Sequence, residues 1–341
     1  MLVSWNTTNQ CNLACDHCYR DAGPRLAEEL STEEGLALVE EVARAGFRVL
    51  ILSGGEPLLR PDLLTLVAAA RRRGLRPVLG TNGTLLTFEL ARKFKKAGLA
   101  AVGISLDSRH AAEHDRLRRR PGAWEAAVAA MDYCREAGLP FQVHTTVMDW
   151  NAAELEALTD FAVARGARGH HFFFLVPTGR AARLGGRLRA AAYEDLLGRI
   201  LRKQQKVAIE LKPTCAPQFM RLARQMALTL PYGRGCLAGL AYCLVNPRGE
   251  VQPCAYLDVS AGNVRATPFS RIWAQSPLFL DLRRQEYRGS CGRCAYRRVC
   301  GGCRARAYSA SGDYLGEDPW CLYRGGEGKE EAHLAGHGCP G

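Results

Sequence analysis

The sequence predicts an α/β chain: an open, partial (β/α)6 barrel followed by a cysteine-rich extension. Three observations carry this. Strand-like apolar runs alternate with stretches of helical periodicity through the first half, and consecutive strands of that kind pair in parallel because each needs a helical crossover. The 14 cysteines are uneven, with three at Cys11, Cys15 and Cys18 and nine between Cys215 and Cys321. The length of 341 residues, at ~150 residues per domain, suits two domains.

The strand-like runs are Leu2–Thr8, Val49–Ser53, Pro77–Gly80, Ala101–Leu106, Phe141–Val147 and Gly169–Val176. Helical periodicity follows the first five, over Leu36–Ala45, Leu63–Arg73, Glu89–Ala97, Trp124–Glu136 and Leu155–Ala164. Gly46, Gly74, Gly98, Gly138 and Gly166 stand where a left-handed residue would end each helix. A core is expected over residues 1–195, a bridging segment over 196–235, the cysteine-rich domain over 236–325 and a mobile tail over 326–341.

Composition narrows the function. With 47% apolar and 23% charged residues, the chain is that of a globular protein. No charged leader opens it, and no apolar run approaches the ~18 residues that cross a bilayer, so a cytoplasmic location and no membrane partner are expected. In a reducing compartment, closely spaced cysteines point to metal or redox ligands before disulfides. The 46 basic against 34 acidic residues leave a surplus of 12. Its runs, Arg71–Arg73 and Arg116–Arg120, lack interleaved aromatics; the first is expected at a helix end and the second in a loop, so nucleic acid is not expected as a partner.

Chemistry on such a barrel collects at the carboxyl ends of its strands. After the first comes Cys11-x3-Cys15-x2-Cys18. Three thiolates in eight residues can ligate three irons of one [4Fe–4S] cube, leaving the fourth iron open to a chelating ligand; zinc with His17 is the alternative. After the second comes Ser53-Gly-Gly-Glu-Pro57, where Gly54 and Gly55 permit close backbone approach and Glu56 can take up an ammonium group. Thr81-Asn-Gly83 and Ser105-Leu-Asp107 end the third and fourth strands with short polar groups. His110 and His114 have a metal-pair spacing without a third ligand and are expected in a surface turn. Adjacent on a strand, His170 and His171 face opposite sides, so only one can look into the barrel. Cys134 is expected as a small helix-packing residue.

The C-x3-C-x2-C-Y loop, Gly54-Gly-Glu-Pro57 and Ile104-Ser-Leu-Asp107 on this strand–helix chain resemble the radical S-adenosylmethionine (SAM) enzymes, whose core is a TIM-like partial barrel. The resemblance implies that Cys11, Cys15 and Cys18 hold a [4Fe–4S] cluster. It further implies that Gly54, Gly55 and Glu56 contact the methionine end of SAM, that Asn82 and Ser105 lie nearer its ribose, and that Arg118 lies near its carboxylate. A one-electron reductant such as ferredoxin or flavodoxin is implied with them.

The later array, Cys236, Cys243, Gly249-x4-Cys254, Cys291-x2-Cys294-x5-Cys300-x2-Cys303 and Cys321, resembles a SPASM extension. Carried over by order, Cys236, Cys243, Cys254 and Cys303 would hold one auxiliary cube, and Cys291, Cys294, Cys300 and Cys321 another; a single auxiliary cube and structural zinc remain alternatives. Val3–Cys11, Lys212-Pro-Thr-Cys-Ala-Pro217, Arg298–Tyr308 and Gly312–Cys321 are similar to the tetrapyrrole branch of these enzymes, which includes the radical SAM proteins of heme d1 biosynthesis and the didecarboxysiroheme deacetylases and heme synthases of the alternative heme pathway, so a place in heme or heme d1 biosynthesis is implied. That branch implies radical modification or removal of propionate or acetate side chains of a siroheme-derived iron-tetrapyrrole. The 39 Arg among the basic residues suit such a polycarboxylate. Between two prolines, Cys215 is expected near the barrel mouth, serving the substrate as an axial iron ligand or hydrogen donor. Two rival readings stand beside this one. A peptide-modifying maturase would want a recognition domain ahead of the first strand, where this chain has no room. An iron–sulfur electron carrier would not cleave SAM.

Overall fold

The expected strand–helix rhythm is present in the computed structural model, which describes residues 1–184 and 188–323; the tail over 326–341 lies outside the described residues. In chain order the elements are β1 (Leu2–Asn6), α1 (Thr32–Arg44), β2 (Val49–Ser53), α2 (Leu63–Arg72), β3 (Arg76–Thr81), α3 (Phe88–Ala97), β4 (Ala101–Ser105), α4 (Ala111–Arg118), α5 (Ala123–Glu136), β5 (Phe141–Val147), α6 (Leu155–Ala164), β6 (Gly169–Phe174), α7 (Ala190–Gln204), β7 (Glu210–Thr214) and α8 (Phe219–Gln225). There follow β8 (Tyr242–Val245), β9 (Glu250–Gln252), β10 (Gly262–Asn263), α9 (Phe269–Gln275), α10 (Pro277–Arg284), α11 (Gly289–Arg293) and α12 (Arg304–Ser311). Ser31 and Glu34 start α1 with a reciprocal capping box, which satisfies two otherwise orphaned amides. The five glycines expected to stop helices all have positive φ.

Among the described residues ten strands form one sheet in the order β10-β9-β8-β1-β2-β3-β4-β5-β6-β7, four more than the sequence predicts. β1 to β7 run parallel, and β8 pairs in parallel with the free side of β1. β7 escapes the pattern because Pro213 interrupts it; at a sheet edge the missing amide costs no ladder bond. β8 to β10 are too short for alternation to declare them.

Alternate residues sort by face. Val3, Trp5, Leu50, Leu52, Leu79, Val102, Ile104 and Val143 pack on Leu38, Val42, Leu66, Phe94, Met131 and Cys134 of the helices. Phe172, Phe174 and Leu211 meet Tyr193, Leu197, Leu201 and Phe219 in a second cluster. Each such large apolar side chain contributes ~1.5–3 kcal/mol on burial. The intervening residues turn to the inside of the curved sheet, where register sets Ser105, His144, His171 and Lys212 side by side across β4 to β7. Of the two adjacent histidines, His171 is thus the inward one, stacked on His144 with ring centroids 5.3 Å apart. His170 is buried on the other face between the hydroxyls of Thr145 and Thr159. Among the described residues, no helix is long and apolar enough to cross a membrane.

Candidate functional site

The loop after β1 carries the cysteine triad and is pinned on three sides. Its backbone is held by the buried Glu29, whose carboxylate accepts from the Thr8 hydroxyl and the Asn9 amide. The loop after β2 lies against it, with the Gly55 and Glu56 amides donating to the carbonyls of Thr8 and Gln10 at 2.8 and 2.7 Å. A Cβ on Gly55 would come within 2.3 Å of the Gln10 carbonyl oxygen, and one on Gly54 within 2.5 Å of that of Thr8. The close backbone approach that these glycines permit is therefore first of all to the cysteine loop itself. From the far side, the Arg180 guanidinium donates to the carbonyls of Cys15 and Ala22. Nothing local in the sequence singles out Arg180 or Glu29.

Glu56 is fully buried and accepts from the Thr81 hydroxyl, the Asn82 amide and the Leu58 amide at 2.8–3.1 Å. Burial pushes its carboxyl up to about 7 against those donors. The Asn82 side chain donates to Asn12 of the cysteine loop, and the Ser105 hydroxyl lies over the Thr81 carbonyl. Glu56, Asn82 and Ser105, expected together from sequence, thus meet at the carboxyl ends of β2, β3 and β4, beside the triad.

Arg118 joins them by a route the sequence reading missed. The segment expected to be a loop and a surface turn is the helix α4; His114 is buried in it, its Nδ1 accepting from the Asp107 amide. No apolar stripe announces α4, because it buries His114, Leu117 and Arg118 and its packing face is largely polar. Arg118 donates through Nε to Asp107 at 2.7 Å and directs Nη1 to the Cys15 thiol at 3.9 Å. Burial alone would raise Asp107, but Arg118, His17 and His114 outweigh it and hold the carboxyl well below its usual range. His17 stays neutral, lowered to about 3 chiefly by burial.

No disulfide joins the described cysteines. In the second half they separate into two places. Cys291, Cys294, Cys300 and Cys321 line one cavity. There the thiols of Cys291, Cys294 and Cys300 accept backbone amides from Asp318, Tyr296 and Gly302 at 3.4–3.5 Å, the hydrogen bonding that stabilises thiolate–iron clusters. Cys254 and Cys303 pack elsewhere, around Leu257 and Val176, together with Cys215. Cys243 stands in β8 within the sheet–helix core. Helix α12 runs between the two places. Its Arg304 reaches the Cys291 thiol at 3.6 Å, and Arg306 pairs with the buried Asp318 at 2.8 Å.

These donor sets fit cubes. Among the described residues, no three His, Cys, Asp or Glu side chains close on a single metal ion, whereas a cube takes each thiolate on a separate iron. Arg118 and the Leu13 amide, which donates to the Cys11 thiol at 3.4 Å, supply the positive field a thiolate-bound cluster needs. Cys11, Cys15 and Cys18 would hold the SAM-binding cube, beside the polar groups of Glu56, Asn82 and Ser105.

Comparison with known proteins agrees with this geometry. Residues 5–162 match the model of the Radical SAM superfamily, and residues 236–295 match that of an iron-sulfur cluster-binding domain, SPASM. The chain is 43% identical to an AdoMet-dependent heme synthase of Methanosarcina barkeri, covering 96% of this chain and 97% of that relative. It is 32% identical to an Fe-coproporphyrin III synthase of the same organism, over 94% and 87%. The solved structure of Streptococcus suis SuiB bound to S-adenosylmethionine superposes with a TM-score of 0.75 at 16% identity, covering 94% of this chain and 77% of that one, a likeness of fold. Similarity of the first kind, sustained along almost the whole of both sequences, goes beyond fold: this chain belongs to the radical SAM enzymes with a SPASM extension, whose cofactors are [4Fe–4S] clusters and S-adenosylmethionine.

Proposed function

We propose that this enzyme forms heme by oxidative removal of propionate carboxyl groups from an iron-coproporphyrin, leaving vinyl groups. The observation that carries the reading is the difference between two relatives from one organism, 43% identity to the heme synthase against 32% to the Fe-coproporphyrin III synthase. Within one organism such a gap follows the kind of reaction and not the distance between species. The siroheme-derived substrate expected from sequence becomes, on this reading, a later iron-tetrapyrrole of the same chemistry.

When bound, the triad's cluster supplies the electron that splits SAM into methionine and a 5′-deoxyadenosyl radical. The chain's own residues would hold the polycarboxylate and keep water out. The inward row of His144, His171 and Lys212 extends from Ser105 towards β7 and presents nitrogen donors to carboxylates. Burial lowers both histidines and Lys212, so a bound carboxylate would be met chiefly by Lys212. Conversion of one propionate to a vinyl group would remove one hydrogen atom, one carbon dioxide and one electron, and an auxiliary iron–sulfur cluster would be the acceptor of that electron. A one-electron donor such as ferredoxin or flavodoxin is needed to start each turnover.

The test is an anaerobic incubation with SAM, a reductant and either iron-coproporphyrin III or didecarboxysiroheme, followed by mass analysis. The expected result is loss of carbon dioxide and two hydrogens per converted side chain of the coproporphyrin. Loss of acetate groups from didecarboxysiroheme instead would transfer the enzyme to the deacetylases. Release of 5′-deoxyadenosine with both tetrapyrroles unchanged would overturn the substrate class and leave the radical chemistry standing.

A further inference from the structure

We infer that the fourth thiolate of the auxiliary cluster at Cys236, Cys254 and Cys303 is Cys215, supplied by the loop after β7, and that Cys243 is not a ligand. The inference rests on the assignment of SPASM clusters to this chain and goes beyond it by naming a ligand outside the SPASM segment.

Cys243 faces the wrong way. It is opposite Val3 in the parallel pairing of β8 with β1, and both belong to the apolar core against the helices. The inward residues of β8 are its neighbours, as the bond from the Tyr242 hydroxyl to Ser4 shows. A one-residue slip would be needed to turn Cys243 round, and it would turn Val245 out of the core with it.

Cys215 faces the right way. It packs with Cys254 and Cys303 on Leu257 and Val176, and the Cys236 amide donates to the carbonyl of Cys300, three residues before Cys303. Its backbone is unusual: φ is +59°, a left-handed conformation that a non-glycine residue holds only when its surroundings enforce it. The enforcing contact is in place, since Arg306 donates to the Cys215 carbonyl at 2.6 Å and is itself clamped by Asp318. The bridging loop is thereby bent so that this residue packs beside Cys254 and Cys303.

The placement has a consequence for the whole barrel. β7 ends one side of the ten-stranded sheet, while Cys236 and Cys254 flank β8 and β9 towards the other. A cube held by Cys215 together with Cys236, Cys254 and Cys303 would clasp the two margins of an open sheet, which no backbone ladder joins.

The test uses the anaerobically reconstituted full chain in a Cys11→Ala/Cys15→Ala/Cys18→Ala background, so that only auxiliary clusters contribute to iron, sulfide and EPR. Cys243→Ala is expected to keep the iron content and spectrum of its parent. Cys215→Ala is expected either to lose one cube's iron or to keep a cube whose spectrum shifts on adding a small exogenous thiol, as an open iron would. Cys215→Ser, which preserves volume and offers oxygen, is expected to change the g-values; an unchanged spectrum overturns the inference even if the alanine variant fails to fold. Loss of iron in Cys243→Ala with Cys215→Ala unaffected also overturns it. Cys303→Ala serves as the control: if it too loses no iron, the assignment of a cluster to this place has failed, and not the choice of its fourth ligand.

Discussion

Arg118 shows how one side chain can be indispensable without being the group that reacts. Its guanidinium is buried, and Asp107 is its compensating anion at 2.7 Å. Removing one member of a buried pair strands the other's charge, which costs ~3–5 kcal/mol. Asp107→Ala is therefore expected to lower the urea unfolding free energy by about that amount and to reduce iron retention at the amino-terminal triad, because Arg118 would no longer be aimed at Cys15. If Asp107→Ala unfolds like the parent, Arg118 is held by something other than this carboxylate. On α12, Arg306 has a buried anion of the same kind in Asp318, while Arg304 donates to the Tyr314 and Gly316 carbonyls and the Cys291 thiol. Two residues apart on α12, they are about 200° apart around the helix axis, so one reaches each thiol site. Both lie inside the segment Arg298–Tyr308, one of those similar to the tetrapyrrole branch. A signal for them was present: arginines placed between closely spaced thiols that become anionic on binding iron.

At the scale of elements, the functional loops are kept in place by contacts between neighbours in the sheet. The passage of the β2 loop under the β1 loop leaves no room for a side chain at Gly55. Gly55→Ala must push the Gln10–Cys11 backbone outward, and the expected result is a severalfold loss of the SAM-dependent change in the cluster's EPR spectrum with the auxiliary clusters intact; a parental SAM response would show that the loop can yield. Beyond β10, Arg265 is tied to Glu34 in the first turn of α1, at 2.6 and 2.9 Å. That hydrogen bonding, with the Ser31 amide, lowers the Glu34 carboxyl from 4.5 to about 2. The stabilisation is then complete above pH 4.5 and is lost as pH falls towards 2, since below 4.5 the unfolded chain takes up the proton first. The pair is solvent-exposed, so its worth is below about 1 kcal/mol. Glu34→Gln should be less stable than the parent by that margin at pH 7 and equal to it near pH 2, as read by thermal melts across the range. A constant difference would assign the effect to the capping box alone.

At the scale of the whole molecule, the inside of the sheet is where four separate strands pool their polar residues. Ser105, His144, His171 and Lys212 come from positions up to 107 residues apart in sequence (212 − 105) and share one row. Loss of a hydrogen bond to a charged group costs ~1.5–3 kcal/mol. Lys212→Met is thus expected to raise the KM for the tetrapyrrole roughly 10- to 100-fold at saturating SAM, while 5′-deoxyadenosine is still released without substrate conversion. An unaltered KM would remove the row from the substrate site.

The sequence by itself determined the elements that repeat and the ligands that cluster. Alternation and helix-stopping glycines placed β2, β5 and α6 to the residue, and spacing picked out the cysteine triad because its ligands are local. Tertiary structure alone decided what depends on distant parts meeting: α4, whose packing face is polar, β7 with its proline, and the extension of the sheet through β8. It also decided which thiols share a place. A strand's side chains alternate in direction, so the order of cysteines along the chain says nothing of the face each one takes; pairing with β1 turned Cys243 into the core, and a left-handed bend after β7 set Cys215 beside Cys254 and Cys303.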